Sequence, residues 1–137
     1  MKVSSLFLMA GVSIALSACG TLDQTIKDAQ MAVRPALIRD TLPQICHAAK
    51  DNQVRANDFY ANKSMVATGE VRLISDGYKP RYRVLLKSDQ IAIHAGTDNQ
   101  FAVKQLNVGK QTNVTGTITD VSFGYQGCSI MLKDASF

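Results

Sequence analysis

Few side chains in this chain of 137 residues are suited to catalysis. His47 and His94 are the only histidines, Glu70 is the only glutamate, and no serine stands in a nucleophile-elbow pattern. A catalytic site needs a nucleophile or base beside a group that orients it. Because no stretch of the sequence brings such groups together, we predict that the protein is not an enzyme.

The first of the three cysteines ends an export signal. Lys2 supplies a positive charge, residues 6–16 are apolar, and small Ser17 and Ala18 precede Cys19, which is the pattern of a secretory signal. The apolar stretch is shorter than the roughly 20 residues that a membrane-spanning helix needs. The run Leu16–Cys19 resembles the lipobox of bacterial lipoproteins, which implies cleavage after residue 18 and a diacylglycerol and an acyl chain on Cys19. The alternative is an ordinary signal peptide with an incidental cysteine.

The lipobox resemblance also predicts a location. Two or three acyl chains attach a protein stably to a bilayer, whereas one chain does so only marginally. Gly20, rather than aspartate, follows the cysteine, and in a Gram-negative cell this implies an outer-membrane anchor that faces the periplasm. The covalent lipid on Cys19 is the only prosthetic group that we predict.

Cys46 and Cys128 remain as an even pair, which an oxidising compartment favours as a disulfide. The bond would close a loop of about 80 residues and stabilise the fold by roughly 4 kcal/mol in the chain-entropy model. Two buried free thiols are the alternative. A metal site built from Cys46, His47 and His94 is disfavoured, because zinc ligands usually stand at short fixed spacings, so we predict no metal.

Two helical segments precede the predicted domain core. Residues 19–41 form the predicted tether, in which Leu22, Ile26, Ala29 and Val33 make an amphipathic stripe that ends before Pro35. Thr41 and Gln44 then form a capping box. We expect the helix that begins there to continue to about Tyr60.

From residue 64 onward the apolar period changes to two, which predicts strands. Met65, Ala67, Gly69, Val71 and Leu73 should face inward along the first strand. Further strands are expected near residues 82–87, 91–95, 114–121 and 130–132, with a short helix at 101–106 and a loop at 123–127. This order is that of an OB-fold, a five-stranded Greek-key barrel. We therefore predict a mainly β fold: an OB-fold domain with a leading helix at residues 42–137, in which one or two N-terminal helices precede the barrel.

A family resemblance supports the same fold. The residues that carry it include Lys63, Thr68-Gly69, Gly109-Lys110 and Val114-Thr115-Gly116. Together they resemble the "tRNA anti-like" family of small bacterial OB-fold proteins over roughly residues 45–136. The resemblance implies a barrel and says almost nothing about its ligand.

The positive charge of the predicted domain is concentrated in one hairpin. Residues 72–87 contain five basic residues against one acidic residue, Asp76. OB-folds bind ligands on the face of strands two and three, between the loops joining strands 1–2 and 4–5. Those loops carry Tyr78 and Tyr125. The candidate ligand-binding residues are Arg72, Tyr78, Lys79, Arg81, Arg83, Lys87 and Tyr125.

Two functions fit this pattern. The first is a lipid-anchored envelope protein whose barrel binds an envelope protein, glycan or lipid. The second is a module that binds single-stranded nucleic acid during DNA uptake or conjugative transfer, because bases stack on aromatic rings while phosphates contact Lys and Arg. The predicted export favours the first function, and a solvated charged strand face without a ligand remains open.

Overall fold

The computed structural model describes residues 35–137. The predicted signal peptide, Cys19 and the amphipathic stripe of the tether lie outside the described residues. Within them, no helix has the length and apolar character that crossing a bilayer requires. The elements are α1 (Leu42–Asp51), α2 (Gln53–Tyr60), β1 (Ser64–Asp76), β2 (Tyr82–Ser88), β3 (Ile91–Thr97), α3 (Gln100–Lys104), β4 (Gln111–Gly124) and β5 (Gly127–Ser136).

The five strands close into a barrel in the order β1-β2-β3-β5-β4. All neighbouring pairs are antiparallel except β3 and β5, which run parallel. The short helix α3 lies between β3 and β4, as it does in an OB-fold. The predicted fold class, a mainly β five-stranded barrel with helices before it, is therefore confirmed.

Alternation predicted most of the barrel interior correctly. Tyr82, Val84 and Leu86 of β2 are buried, as are Val114 and Ile118 of β4. Glycine at two strand positions allows close packing: a Cβ atom at Gly69 would lie 3.1 Å from the Cβ of Leu86, and one at Gly116 would lie 3.1 Å from the Cβ of Leu132.

Leu73 was expected to face inward, and this prediction is wrong. The pairing of β1 with β2 shifts between Val71 and Leu73, which marks a β-bulge at Arg72. A bulge inserts one residue, so the alternation reverses beyond it. Leu73 is consequently 54% exposed, and Ile74 packs against the core instead.

The single helix expected between Thr41 and Tyr60 is two helices. The capping box at Thr41 is present, with the Thr41 N–H donating to Gln44 Oε1 at 2.8 Å. The chain then breaks at Asn52, whose backbone is extended at φ −162°. Asn52 caps α2 by accepting a hydrogen bond from the Arg55 N–H at 3.0 Å. The break therefore ends α1 at Asp51 and starts α2 at Gln53.

Helix α2 is fastened to β4 through one side chain, that of Asn57. Its amide donates to the Val121 carbonyl at 3.0 Å and to Asp120 Oδ1 at 3.1 Å. Its own carbonyl accepts from the Val121 N–H at 2.7 Å. These bonds satisfy the backbone of Val121 next to a β-bulge, where the β4 register shifts between Ile118 and Asp120.

The chain enters the domain beside the first strand. Ile38 donates its N–H to the Ser64 carbonyl at 2.8 Å, and Ser64 donates to the Ala36 carbonyl at 2.8 Å. Two residues further on, Asp40 accepts a hydrogen bond of 2.8 Å from the Tyr60 hydroxyl. Burial first, and then the hydrogen bond and the charge of Asp40, raise the pKa of Tyr60 to about 12.

The loop predicted at residues 123–127 is shorter than expected. β4 continues to Gly124 and β5 begins at Gly127, so Tyr125 and Gln126 alone form the turn. Gly127 has φ 97°, a conformation that favours glycine. Phe123 thus belongs to β4, and its ring lies 5.7 Å from Lys50 Nζ of α1.

Candidate ligand-binding groove

A groove of about 610 Å³ crosses the outer face of β1, β2, β3 and β5. This volume falls within the range of roughly 300–1,000 Å³ that is usual for small-molecule sites. The face is also the one on which OB barrels bind ligands. Side chains from β1, β2, β3 and β5 line it, among them Leu73, Ser75, Arg83, Leu85, His94, Met131 and Lys133.

The floor of the groove is a row of mostly apolar side chains that runs across four strands. Leu73 pairs with Leu85, Leu85 with His94, and His94 with Met131. Leu73 is 54% exposed and Met131 is 47% exposed. Adjacent exposed aliphatic side chains within a concave site are typical of binding surfaces rather than of ordinary protein surface.

Along one side of this floor stand three cations that have no carboxylate partner within residues 35–137. They are Lys79 of the β1–β2 loop, Arg83 of β2 and Lys133 of β5. Within residues 35–137 the ion pairs shorter than 4.0 Å are Arg72–Glu70 and His47–Asp51, and neither involves these cations. Their positive charges are therefore free to contact a ligand.

Two carboxylates also line the groove, and they reduce its positive charge. Asp98 is engaged by the protein, because its Oδ1 accepts a 2.8 Å hydrogen bond from the Arg81 N–H and so fixes the β1–β2 loop. Asp134 follows Lys133 in β5, at a backbone position with φ 52°. Among the lysine, arginine, aspartate and glutamate side chains of the lining, three cations and two carboxylates leave it weakly positive.

The structure brings two of the seven predicted ligand-binding residues into the groove lining, Lys79 and Arg83. Arg72 lies in the β1 bulge and pairs with Glu70 at 3.0 Å. Arg81 places its guanidinium 5.5 Å from the centre of the Tyr82 ring. Lys87 is exposed on β2 beyond the groove, opposite Ala92.

The two predicted tyrosines stand at opposite ends of the β2–β3 hairpin. Tyr78 is 92% exposed in the loop between β1 and β2. Tyr125 is fully exposed in the turn between β4 and β5, which approaches the other end of the hairpin where Gly127 lies against the Gln90 carbonyl. Neither ring is held by the protein against the groove floor.

Sequence reasoning missed Leu73, Leu85, Met131 and Lys133 as groove residues. Alternation does indicate that Met131 and Lys133 point outward, because Ile130, which precedes them, and Leu132, which lies between them, are buried. Recognising them as neighbours of His94 also requires the parallel pairing of β3 with β5. That signal was available from the OB topology, whereas the reversal at Leu73 depends on the bulge.

The predicted disulfide joins Cys46 of α1 to Cys128 of β5, with a Cα–Cα distance of 5.7 Å. Both cysteines are buried in the core. The bond holds the first helix on the barrel, away from the groove lining, so its role is structural.

The residues considered for a metal site are dispersed. His47 pairs with Asp51 one turn further along α1, at 3.2 Å, while His94 lies on the outer face of β3. In the part of the chain that the structure describes, no three His, Cys, Asp or Glu side chains are grouped so that they could hold a metal ion.

A second groove, of about 420 Å³, lies along α1 and α2 and includes His47 and Phe59.

Fold and groove together define the class: an OB-like barrel with a groove across one face. No protein-family model and no curated protein matches this chain, so the resemblance to the "tRNA anti-like" family stays a prediction. Among solved structures, the chain is similar to a "putative nucleic acid-binding lipoprotein" from Klebsiella pneumoniae subsp. pneumoniae. The TM-score is 0.54 at 16% identity, over 80% of this chain and 94% of that chain. At this identity the similarity supports the shared fold alone.

Proposed function

We propose that this chain is a non-enzymatic envelope lipoprotein that binds an envelope component in the groove across β1, β2, β3 and β5. The observation that carries the proposal is the row of exposed aliphatic side chains beside three cations that have no carboxylate partner among the residues that the structure describes. Binding to such a surface is favourable, because a ligand that covers the apolar row removes it from water and an anionic group forms charge-assisted hydrogen bonds with the cations.

Anchoring through Cys19 is the second part of the proposal, and it rests on the lipobox resemblance. In a Gram-negative cell the barrel would be held at the outer membrane, facing the periplasm. We expect Cys19→Ser to abolish labelling with radioactive palmitate and to move the protein out of the membrane fraction. If the substituted protein remains in the membrane fraction, the anchor is wrong.

Photocrosslinking in cells that express the full-length chain tests the groove. A photoreactive residue at Met131 should form a specific adduct that is lost when Arg83→Gln is added. The matched control is the same probe at Val54, which is 73% exposed on α2 and should form no such adduct. Equal adducts from both positions, or an adduct that is insensitive to Arg83→Gln, would contradict the proposed site.

A second candidate function is binding of single-stranded nucleic acid. It is favoured by the description of the Klebsiella protein and by Tyr78 and Tyr125, which could stack on bases at the two ends of the hairpin. Titration with fluorescent single-stranded DNA should then show affinity that falls steeply with salt and weakens in Arg83→Gln. Absence of binding at about 50 mM salt would remove this candidate.

A further inference from the structure

The groove has two halves that run side by side across the strands. The first is the apolar row of Leu73, Leu85 and Met131, with His94 between the last two. The second half contains Arg83, which stands two residues before Leu85 in β2, and Lys133, which stands two residues after Met131 in β5. Residues two apart in a strand share a face and lie roughly 6.5 Å apart. A ligand in the groove therefore meets an apolar half and a cationic half at the same time.

The cationic half is arranged around a single point. Arg83 on β2 pairs with Gly96 of β3, and Lys133 on β5 directly follows Leu132, which pairs with Ala95, so the two cations flank β3 near Gly96. Neighbouring strands are about 4.8 Å apart, so the backbones of Arg83 and Lys133 are separated by roughly 10 Å across β3, a gap that two long side chains can span. The ring of Pro80 covers Gly96, since a Cβ atom there would collide with the proline Cγ. Lys79, beside that proline, adds a third positive charge.

We infer that the groove binds an anionic amphiphile, a molecule with one carboxylate or phosphate head and an apolar chain. The head contacts Arg83 and Lys133 above Gly96 and Pro80, and the chain lies along Leu73, Leu85 and Met131. This inference deepens the proposed function and rests on it, because it names the chemical class of the envelope component.

Charge and burial favour this ligand over two others. A glycan would bury hydroxyl groups against leucine and methionine, where they would lose hydrogen bonds to water without replacement. A nucleic acid strand carries a phosphate on every nucleotide and stacks its bases on aromatic rings. The groove floor has aliphatic side chains and one histidine, and the cations cluster on one side of it, so it matches one charge with one apolar chain.

Asp134 is the groove residue whose negative charge should weaken the binding of an anionic ligand. Its carboxylate lines the same groove beside Lys133 and has no cationic partner within 4.0 Å among the described residues. It opposes an anionic head, so its removal should tighten binding, whereas removal of a cation should weaken it. A site that simply tolerates apolar molecules would respond to neither change.

Isothermal titration of the secreted chain tests the inference. Cys19→Ala avoids detergent, and the probes are dodecyl phosphate and dodecanoate, both below their micellar concentrations, with dodecyl maltoside and inorganic phosphate as matched neutral and chain-free probes. We expect one anionic amphiphile per chain, bound at least about tenfold more tightly than either control probe. The two heads also distinguish a phospholipid-like source from a fatty acid.

Variants then locate the bound molecule. Arg83→Gln and Lys133→Gln should each weaken binding about tenfold, Asp134→Asn should strengthen it, and Lys87→Gln on the same strand should leave it unchanged. Equal affinity for dodecyl maltoside, equal loss in Lys87→Gln, or no binding of either anion overturns the inference. If the anions fail to bind while the Met131 adduct still depends on Arg83, the groove remains the site and the ligand class is wrong. If both fail, the proposed function falls as well.

Discussion

The two sides of the barrel differ in whether their polar side chains have partners within the protein. On the helix side, where α1 and α2 cover β4 and β5, Asn57 makes three hydrogen bonds to β4, and Cys46 and Cys128 are covalently joined. On the groove side, Arg83 and Lys133 have no carboxylate partner within 4.0 Å among the described residues, and Leu73 and Met131 are about half exposed.

This difference separates residues that stabilise the fold from residues available to a ligand. A buried polar group costs free energy when it loses its partner, so the helix side should be sensitive to substitution. Exposed charges are hydrated and contribute little to stability, so the groove side should tolerate substitution in the absence of ligand. The free energies of unfolding of variants substituted on each side test that separation.

The largest effect is expected from the disulfide. Cys46 and Cys128 are 82 positions apart, and the chain-entropy model gives about 4 kcal/mol for a loop of that length. The double variant Cys46→Ala/Cys128→Ala should lose most of that stability in urea unfolding. Reduction of the unsubstituted protein should give a similar loss. A loss below about 1 kcal/mol would mean that packing alone holds α1 on the barrel.

Asn57→Ala should come next, at about 2 kcal/mol, because it leaves the Val121 N–H and carbonyl at the β4 bulge without protein partners. The matched control is Asn113→Ala on the exposed part of β4, which should change stability by less than about 0.5 kcal/mol. Equal effects at the two positions would show that the hydrogen bonds from Asn57 to β4 stabilise the fold no more than an exposed asparagine does.

Tyr60→Phe should cost about 1 kcal/mol at neutral pH by removing the hydrogen bond to Asp40. It should also change the response to alkali. The pKa of Tyr60 is about 12 in the folded protein, against an ordinary value of 10.0, so its stabilising contribution is complete below pH 10 and is lost as the pH rises through 12. Tyr60→Phe should therefore lose less stability than the unsubstituted chain between pH 10 and 12. Parallel losses would contradict the raised pKa.

The smallest effect on stability is expected in the groove. Arg83→Gln, Lys133→Gln and Asp134→Asn should each alter the free energy of unfolding by less than about 0.5 kcal/mol, since these side chains are exposed and have no ion-pair partner in the described part of the chain. Thermal unfolding without ligand measures this. A large loss in any of them would place that residue with the structural contacts of the helix side.

Local patterns in the sequence predicted the fold well and its interruptions poorly. Alternation identified the buried residues of β2 and much of β4, and turn residues separated the strands. Leu73 was misplaced because a bulge reverses the faces of a strand and leaves no clear composition signal. The break at Asn52 was missed because the apolar positions on both sides continue one approximate helical face, although asparagine is a good N-cap.

The candidate site was only half predictable for a related reason. Charge density pointed to the β1–β2 hairpin, and Lys79 and Arg83 do line the groove. Met131 and Lys133 come from a strand that is distant in sequence, and only the pairing of β5 with β3 brings them to the same surface. Whether a cation is paired also depends on side-chain geometry, which explains why Arg72 and Arg83 looked alike in the sequence and differ in the structure.

Amide chemical shifts test most directly whether the groove side is the binding side. ¹⁵N-labelled protein carrying Cys19→Ala would be titrated with dodecyl phosphate below its micellar concentration. The account predicts saturable shifts at Arg83–Leu85, His94–Thr97 and Met131–Lys133, with α1 and α2 unaffected. Shifts that concentrate on α1 and α2, around the smaller groove that contains His47 and Phe59, would contradict it.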